Sequence, residues 1–592
     1  MRLSHIRRAL SVLSTAEKRR CGLIVCLNVA GAMLELALVG AIPLCVAVLS
    51  DRTKIDSFPL EELGIQHHSA SDAELLFWMT AGIVALAAMK LGYFFVVHRY
   101  TLRTVRAMRV RLSRDVFDSC LYARWNFHLQ NNSAGLLRNC TSEISEYTNG
   151  VIIAGLGVLH GVIVLVAVVL LVIAILPFVA IIALLLTLGS VGGLMLWLRK
   201  WLTHAGETSR RERMQMLSHV QEGLGNLVDA RLSGKENWFL DRYIRSAAQF
   251  SGSQFKIAFV SRLLPYTVEF VSLLGLTVVV TLLARDAGSA SAAAVQITGI
   301  AVGLVRLRQA ASQVAANAAR FQFSLPSVES ITEHTIKLEK EPVGSHTAEE
   351  FRFEHAIRLE NLQYSYGTSK KPVPVLDGLC VTIQRGACVA LIGETGCGKS
   401  TVLQLILGLL EPDEGKICVD GVDIRTNLRA WRSRIGYVPQ RIQLLDASIR
   451  ENIALAEDEI DETRLRQAID IAQLQSVIAA QPDCLNTVIG ENGARLSGGQ
   501  RQRLGLARAL YRQPSVIILD EATSALDHET EAAITSSLNS IPWTATRILV
   551  AHRLSTVKDC DSVIILRNGV VNDVGRFDEL RQRHTSLVST RG

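Results

Sequence analysis

The sequence lacks the residue patterns that mark several common classes of protein. Its eleven cysteines include no Cys-x-x-Cys pair and no metal-type spacing, which argues against a zinc or disulfide scaffold. Aromatic residues make up only 6% of the 592 residues, which argues against a cavity lined with rings. Charged residues are scarce in long stretches of the N-terminal half, while 49% of the chain is hydrophobic. A wholly soluble protein is therefore not expected, and the length predicts more than one domain.

Six apolar stretches are long enough to cross a membrane, which takes about 20 residues at a rise of 1.5 Å per residue. They are residues 22–49, 75–97, 151–176, 178–198, 255–283 and 291–311. Arginines are concentrated in residues 99–150 and 199–245, whereas acidic residues are concentrated in residues 51–74. The positive-inside rule therefore predicts that both termini and two long inner loops are cytosolic. We interpret these inner loops as helical extensions of the spans.

The net charge of +7, from 62 basic and 55 acidic residues, does not require a nucleic-acid partner. The basic residues cluster beside the predicted spans, so membrane topology already accounts for them. No cleavage site of small residues follows the basic N-terminus, which we interpret as a cytosolic amphipathic helix before the first span. The pattern predicts a multi-pass protein of a bacterial plasma (inner) membrane, since no organelle signal is evident.

Ionisable residues inside the predicted spans are expected to face a cavity or a partner, because hydrocarbon does not solvate charge. These residues are Glu35, Lys90, His160 and Glu269. A polar stripe also follows one face of the sixth helix, with spacings of 3, 4, 4 and 3. It consists of Arg306, Gln309, Gln313, Asn317 and Arg320. Two interpretations stay open: a cationic wall of a path through the membrane, or a solvated face beyond it.

The chain changes character after residue 336, where a charged segment without an apolar period reads as a linker. We predict a membrane domain at 1–336, a linker at 337–351 and a second domain at 352–592. A strand, a glycine-rich loop and a helix then follow one another, and this order lets backbone amides approach phosphate oxygens. The predicted phosphate loop consists of Gly393, Glu394, Thr395, Gly396, Cys397, Gly398, Lys399, Ser400 and Thr401.

Two acidic residues follow a second apolar strand and complete a candidate phosphoryl-transfer site. Lys399 is predicted to reach the β- and γ-phosphates of ATP, and Ser400 to ligate Mg²⁺. Asp520 ends the strand at 516–519 and is placed for the outer sphere of the metal. Glu521 comes next and is suited to orient or deprotonate the attacking water.

The sequence Leu496 to Gln500, followed by Arg501-Gln502-Arg503 and a helix, resembles the signature of ATP-binding-cassette ATPases. The whole chain resembles an exporter-type half-transporter of that family. The resemblance implies an α-helical membrane domain of six transmembrane helices fused to an α/β P-loop NTPase cassette. It also implies ATP and Mg²⁺ as cofactors and ATP hydrolysis coupled to transport across the membrane.

The resemblance assigns further roles to single residues. Tyr366 matches the aromatic residue that stacks on adenine, although a plain strand aromatic is the alternative. Gln440 matches the loop glutamine that senses Mg²⁺, and His552 matches the switch histidine near the γ-phosphate. The residues implied to cap the ATP held by another cassette are Ser497, Gly498, Gly499 and Gln500, with Asp527 in the neighbouring D-loop. Because no motif is degenerate, a homodimer with two competent sites is implied.

The membrane half is most similar to bacterial flippases of lipid-linked oligosaccharides, over residues 35–43, 125–143 and 263–269. This similarity implies an amphipathic, anionic glycolipid as substrate and membrane lipid as a partner, and the arginines of the stripe suit a phosphate group. The alternative is an exporter of lipids, peptides or hydrophobic drugs. No cysteine-protease domain precedes the first span, which counts against an exporter that processes leader peptides. A gated channel is a third interpretation.

Overall fold

The computed structural model divides the chain into two units, Met1–Lys340 and Glu341–Gly592. It describes residues 3–50, 72–131, 133–175, 177–286, 290–335, 341, 352–366, 374–455, 457–521, 527–550 and 557–584. The predicted linker at 337–351 lies outside these residues except for Glu341.

The described part of the first unit is helical, as expected where hydrocarbon offers backbone groups no hydrogen-bonding partner. Its helices are α1 (Leu3–Ser11), α2 (Thr15–Ser50), α3 (Asp72–Leu121), α4 (Trp125–Gln130), α5 (Ser133–Arg138), α6 (Ile144–Glu146), α7 (Ala154–Ile175), α8 (Pro177–Gly225), α9 (Leu227–Ser233), α10 (Glu236–Asp286), α11 (Ala290–Ser324) and α12 (Pro326–Thr335). Two π-helical segments, Asn139–Glu143 and Tyr147–Ile153, flank α6.

Three of the helices are much longer than a bilayer requires. α3, α8 and α10 contain 50, 49 and 51 residues, or about 75 Å each at 1.5 Å per residue. The prediction that the inner loops extend the spans as helix is therefore confirmed. Among the described residues, three stretches are apolar and long enough to cross a membrane: Thr15–Cys45, Leu76–Leu121 and Gly135–Leu171. The other three predicted spans lie within α8, α10 and α11.

The second unit contains two sheets. Its strands are β1 (Ala356–Ser365), β2 (Pro374–Gln384), β3 (Cys388–Gly393), β4 (Glu414–Val419), β5 (Val422–Asp423), β6 (Ile435–Val438), β7 (Val516–Asp520), β8 (Thr546–Val550), β9 (Ser562–Arg567) and β10 (Val570–Gly575). One sheet is antiparallel, in the order β2-β1-β4-β5. The other has the order β10-β9-β3-β8-β7-β6, and all its pairs are parallel except β10 with β9.

The described helices of the second unit are α13 (Lys399–Ile406), α14 (Leu428–Arg432), α15 (Ile449–Ala454), α16 (Glu462–Ile471), α17 (Gln475–Ala479), α18 (Gly498–Leu510), α19 (His528–Asn539) and α20 (Phe577–Arg583). Along β7, Ile517 and Leu519 belong to one hydrophobic cluster, whereas Val516 and Ile518 belong to the other. The strand is therefore buried on both faces, which explains its unbroken apolar sequence. The carboxyl ends of β3, β6, β7 and β8 share one edge of the sheet, where polar residues can be placed.

Gly206 of α8 lies very close to the backbone of α11 in the membrane unit. A Cβ atom on Gly206 would lie 2.2 Å from the carbonyl oxygen of Phe323. Because that oxygen belongs to a helix backbone, a side chain at 206 would force the two helices apart.

We therefore expect Gly206→Ala to destabilise the protein by about 1–3 kcal/mol, the usual range for overpacking, and to lower its melting temperature in detergent. Gly252→Ala in α10 is the matched control, since its Cβ atom would meet nothing within 4 Å. Alanine there should raise stability, by up to about 1 kcal/mol, through helix propensity. Equal melting temperatures for the two variants would contradict this account of the α8–α11 contact.

Candidate nucleotide site and membrane cavity

The glycine-rich loop after β3 is closely packed at Gly393, where it begins, and open at Gly396, in its middle. Gly393, Gly396 and Gly398 have φ values of 155°, 87° and 104°. A Cβ atom on Gly393 would lie 2.4 Å from the carbonyl oxygen of Leu566, whereas one on Gly396 would meet nothing within 4 Å. The loop therefore rests on β9 at one end and leaves room above its middle, as a cradle for phosphate requires.

Lys399 begins α13 and turns its side chain back into the loop. Its Nζ donates hydrogen bonds to the carbonyl oxygens of Gly393 at 2.8 Å and Glu394 at 3.0 Å. The residue is only 8% exposed. Ser400 is exposed in the first turn of α13, and Thr401 is buried. An ammonium group, an exposed hydroxyl and a helix N-terminus thus meet beside the open middle of the loop, which fits a Mg²⁺-bound nucleotide phosphate.

The predicted glutamine and glutamate come together at the carboxyl edge of the sheet. The Nε2 atom of Gln440, which follows β6, donates a 2.7 Å hydrogen bond to Oε2 of Glu521, which follows β7. Glu521 has a left-handed backbone with φ of 52°, and its N–H donates to the carbonyl oxygen of Val550 at 3.1 Å. Two neighbouring strands therefore fix the position of this carboxylate.

Tyr437 contacts the other acidic residue and was not among the predicted site residues. Its hydroxyl donates a hydrogen bond to Oδ2 of Asp520 at 3.4 Å. Burial, and then the carboxylate of Asp520, raise the pKa of Tyr437 to about 12, so the hydroxyl remains a neutral donor near neutral pH. The sequence carries no local signal for this contact, because it depends on β6 lying next to β7.

Tyr364 in β1 and Tyr366, which directly follows β1, have different environments. Tyr364 is 3% exposed and belongs to the core, whereas Tyr366 is 45% exposed. The Tyr366 hydroxyl lies 3.2 Å from Oγ1 of Thr401 and donates to Oε1 of Gln404 at 3.3 Å. Tyr366 therefore lies beside α13 with its ring accessible.

The signature residues form the start of α18. Ser497 caps the helix, accepting a hydrogen bond from the N–H of Gln500 at 3.2 Å, and Oε1 of Gln500 accepts from the N–H of Ser497 at 2.9 Å. Gly498 and Gly499 are the first helical residues after this capping box. The signature serine and glutamine thus have a structural role within their own chain.

Asp527 caps α19 and accepts a hydrogen bond from the N–H of Thr530 at 3.1 Å. Hydrogen bonding to Thr530 lowers the pKa of Asp527, so its carboxylate stays charged at neutral pH. His552 lies outside the described residues, as do residues 522–526.

A cavity of about 540 Å³ lies in the membrane unit between α2, α3, α7 and α11. Four members of the predicted polar stripe line it: Arg306, Gln309, Gln313 and Asn317. Arg320 is exposed and is not among the lining residues. The stripe thus borders the cavity for most of its length and leaves it at its C-terminal end.

Three charged residues from different helices meet at this cavity. Oε1 of Glu35 lies 3.1 Å from Nζ of Lys90 and 3.4 Å from Nη1 of Arg306. His160 also lines the cavity, and its ring lies edge-on to Phe94 at 5.8 Å. The fourth ionisable residue predicted to face a cavity or a partner, Glu269, instead pairs with Arg308 at 2.9 Å.

Comparison with known proteins agrees with both halves of this description. Residues 376–524 match the family model described as ABC transporter, and residues 22–298 match the model described as ABC transporter transmembrane region. A structure of a bacterial Atm1-family ABC exporter with ATP bound aligns with a TM-score of 0.80 at 22% identity, over 97% of this chain and 99% of that chain. This likeness shows the fold.

Two sequence relatives differ in how much of their length is matched. The ATP-dependent lipid A-core flippase of Cupriavidus pinatubonensis is 28% identical over 513 residues, 85% of each chain. The ABC transporter B family member 1 of Arabidopsis thaliana is 40% identical over 225 residues, but the match spans only 38% of this chain and 17% of that protein. With a helical membrane domain fused to an α/β nucleotide-binding cassette, and with both family models matched, the chain belongs to the ABC transporter family.

Proposed function

We propose that the protein hydrolyses ATP to export or flip an amphipathic lipid with an anionic headgroup, and that a lipid-linked saccharide is the substrate. The observation that carries this proposal is the cavity of the membrane unit, which combines cationic and amide side chains. Arg306 suits a phosphate oxygen because its guanidinium is a planar double donor. The amides of Gln309, Gln313 and Asn317 suit sugar hydroxyls, since each amide both donates and accepts.

The relative from Cupriavidus pinatubonensis, which is matched over 85% of each chain, is named a lipid A-core flippase. This name also favours a lipid over a peptide or a drug. Export of other lipids, peptides or hydrophobic drugs is the alternative. Phe94 is the only Phe, Tyr or Trp among the described lining residues, which makes the cavity a poor match for flat aromatic compounds.

In the proposed cycle, Lys399 leaves the carbonyl oxygens of its own loop and binds phosphate oxygens, and Tyr366 stacks on adenine. Mg²⁺ neutralises phosphate charge when it is bound, with Ser400, Gln440 and Asp520 as the residues that would hold it. Glu521, held by Gln440, accepts the proton of the attacking water, and His552 is assigned to the γ-phosphate. These roles follow the pattern of phosphoryl transfer, in which positioning and charge supply most of the rate.

We further propose that two copies of the chain assemble in a plasma (inner) membrane of a bacterium. The signature residues Ser497, Gly498 and Gly499 open a helix whose N-terminus can face an anion. In the proposed homodimer they complete the ATP site of the partner, together with Asp527.

Replacing Glu521 by glutamine tests the assignment of the general base. We expect Glu521→Gln to retain ATP binding and to lower ATPase turnover by about 10²–10⁴-fold, the usual contribution of a general base. Turnover is measured on purified protein in nanodiscs, and binding with a fluorescent ATP analogue. Glu579→Gln in α20 makes the same chemical change at an exposed position and should leave both unchanged. Near wild-type turnover in Glu521→Gln would exclude Glu521 as the base.

Replacing Arg306 by alanine tests the substrate assignment. We expect a polyprenyl-pyrophosphate-linked saccharide to stimulate the ATPase in nanodiscs, and we expect this stimulation to disappear in Arg306→Ala, because the cavity then loses a cation. Arg308→Ala is the matched control, since Arg308 pairs with Glu269 and does not line the cavity. Stimulation by hydrophobic drugs instead of the saccharide lipid would favour the alternative. An ATP-gated ion current would identify a channel.

A further inference from the structure

The cavity is lined by one carboxylate side chain, that of Glu35. Among its described lining residues Glu35 is the only Asp or Glu, while Lys90 and Arg306 are the only Lys or Arg. Both cations contact the same carboxylate atom, Oε1, at 3.1 Å and 3.4 Å. The side chains of Glu35, Lys90 and Arg306 are only 14%, 19% and 28% exposed. The cluster is therefore mostly removed from bulk solvent, where ion pairs are less screened than at a surface.

The geometry of this cluster would allow another anion to replace the carboxylate of Glu35. Only one oxygen of Glu35 contacts the two cations, so the guanidinium of Arg306 does not form the paired, bidentate contact that makes carboxylate binding strongest. A phosphate group has several acceptor oxygens and can contact Lys90 and Arg306 through different atoms. An incoming phosphate could thus satisfy both cations better than the resident carboxylate does.

A neighbouring amide holds Arg306 at the cavity. Nη1 of Arg306 donates a hydrogen bond to Oε1 of Gln309 at 3.2 Å, and both residues line the cavity. The guanidinium is therefore kept beside Glu35 and Lys90, where an incoming anion can reach it.

We propose that Glu35 is the resident counter-anion of Lys90 and Arg306, and that a phosphate group of the substrate displaces it. This inference rests on the proposed function and deepens it by naming a specificity residue. A neutral lipid cannot release Glu35, because it offers the cations no charge in exchange. A ligand must replace the contacts of Glu35 with the two cations in order to bind them. This competition favours phosphorylated ligands over uncharged ones.

The test compares Glu35→Gln with wild type in the full-length protein in nanodiscs. The probes are a polyprenyl phosphate, the matched uncharged polyprenol and soluble glycerol phosphate, and binding is measured by thermal stabilisation against ligand concentration. Removal of the competing charge should lower the half-saturating concentration of polyprenyl phosphate by about tenfold, within the usual range of coupling between two ligands. The response to the polyprenol should not change.

Three further variants separate charge competition from a general effect on the helices. Glu269→Gln removes a carboxylate from the Glu269–Arg308 pair outside the cavity and should leave phosphate binding unchanged. The double variant Glu35→Gln/Arg306→Gln should bind polyprenyl phosphate more weakly than Glu35→Gln alone, because it lacks the guanidinium that Glu35→Gln releases. If Glu35→Gln folds poorly, Glu35→Asp keeps the charge on a shorter side chain and should shift binding in the same direction by less.

Binding that is unchanged or weaker in Glu35→Gln overturns the inference, as does an equal shift in Glu269→Gln. A shift seen also with glycerol phosphate assigns the site to a phosphate group alone, and a shift confined to the lipid assigns it to a lipid headgroup; either supports the exchange. A different result would reject the proposed function. If Glu35→Gln strengthens phosphate binding but the lipid stimulates neither ATPase activity nor its own transport, lipid export is rejected while the exchange at Glu35 stands.

Discussion

The absence of water from hydrocarbon is the constraint on which the membrane unit depends. Backbone groups must be satisfied within each helix, so the described part of this unit is helical. Ionisable side chains face the same constraint and must find partners or a cavity. Glu35, Lys90 and Arg306 satisfy it together, on helices α2, α3 and α11. Glu269 satisfies it by pairing with Arg308. The same physical cost thus yields one pair outside the cavity and one cluster that lines it.

Burial of the parallel sheet has an equivalent effect in the cassette. Because β3 and β7 are buried on both faces, their sequences are apolar until the strands end, and the polar residues follow at the carboxyl edge. Lys399, Asp520 and Glu521 are placed by this arrangement. The left-handed backbone of Glu521 is held by its bond to Val550 and by Gln440. Such a residue in a sparsely populated conformation is stable only where its surroundings determine it, as is common at functional sites.

Features encoded over short stretches of sequence were predictable. The predicted order of strand, glycine-rich loop and helix is confirmed, because β3 ends at Gly393, the first residue of the predicted loop, and α13 begins at Lys399. The spacing of the stripe on α11 predicted a shared helix face but left open whether that face borders a path or solvent. Four of its side chains line the cavity and Arg320 does not; periodicity could not indicate this, because it carries no information about which helices are neighbours. The contacts of Glu35 with Lys90 and Arg306 join residues 55 and 271 positions apart. Such contacts depend on which helices are neighbours, and a single sequence does not specify this. Tyr437 was missed for the same reason, since it contacts Asp520 across 83 positions.

Selection of the substrate has to be sought in the membrane unit, because the chemistry of ATP is the same whatever is transported. Lys399, Gln440 and Glu521 are suited to phosphoryl transfer and carry no information about the substrate. We propose that the cavity selects it: one carboxylate faces two cations, three amides lie on the same face of α11 as Arg306, and Phe94 is the single Phe, Tyr or Trp among the described lining residues. A net positive cluster that is already partly neutralised favours ligands able to outcompete a carboxylate. A phosphate that carries a saccharide would suit both the cations and the amides. Its phosphate offers the cations more acceptor oxygens than Glu35 does, and its sugar offers hydroxyls to the amides.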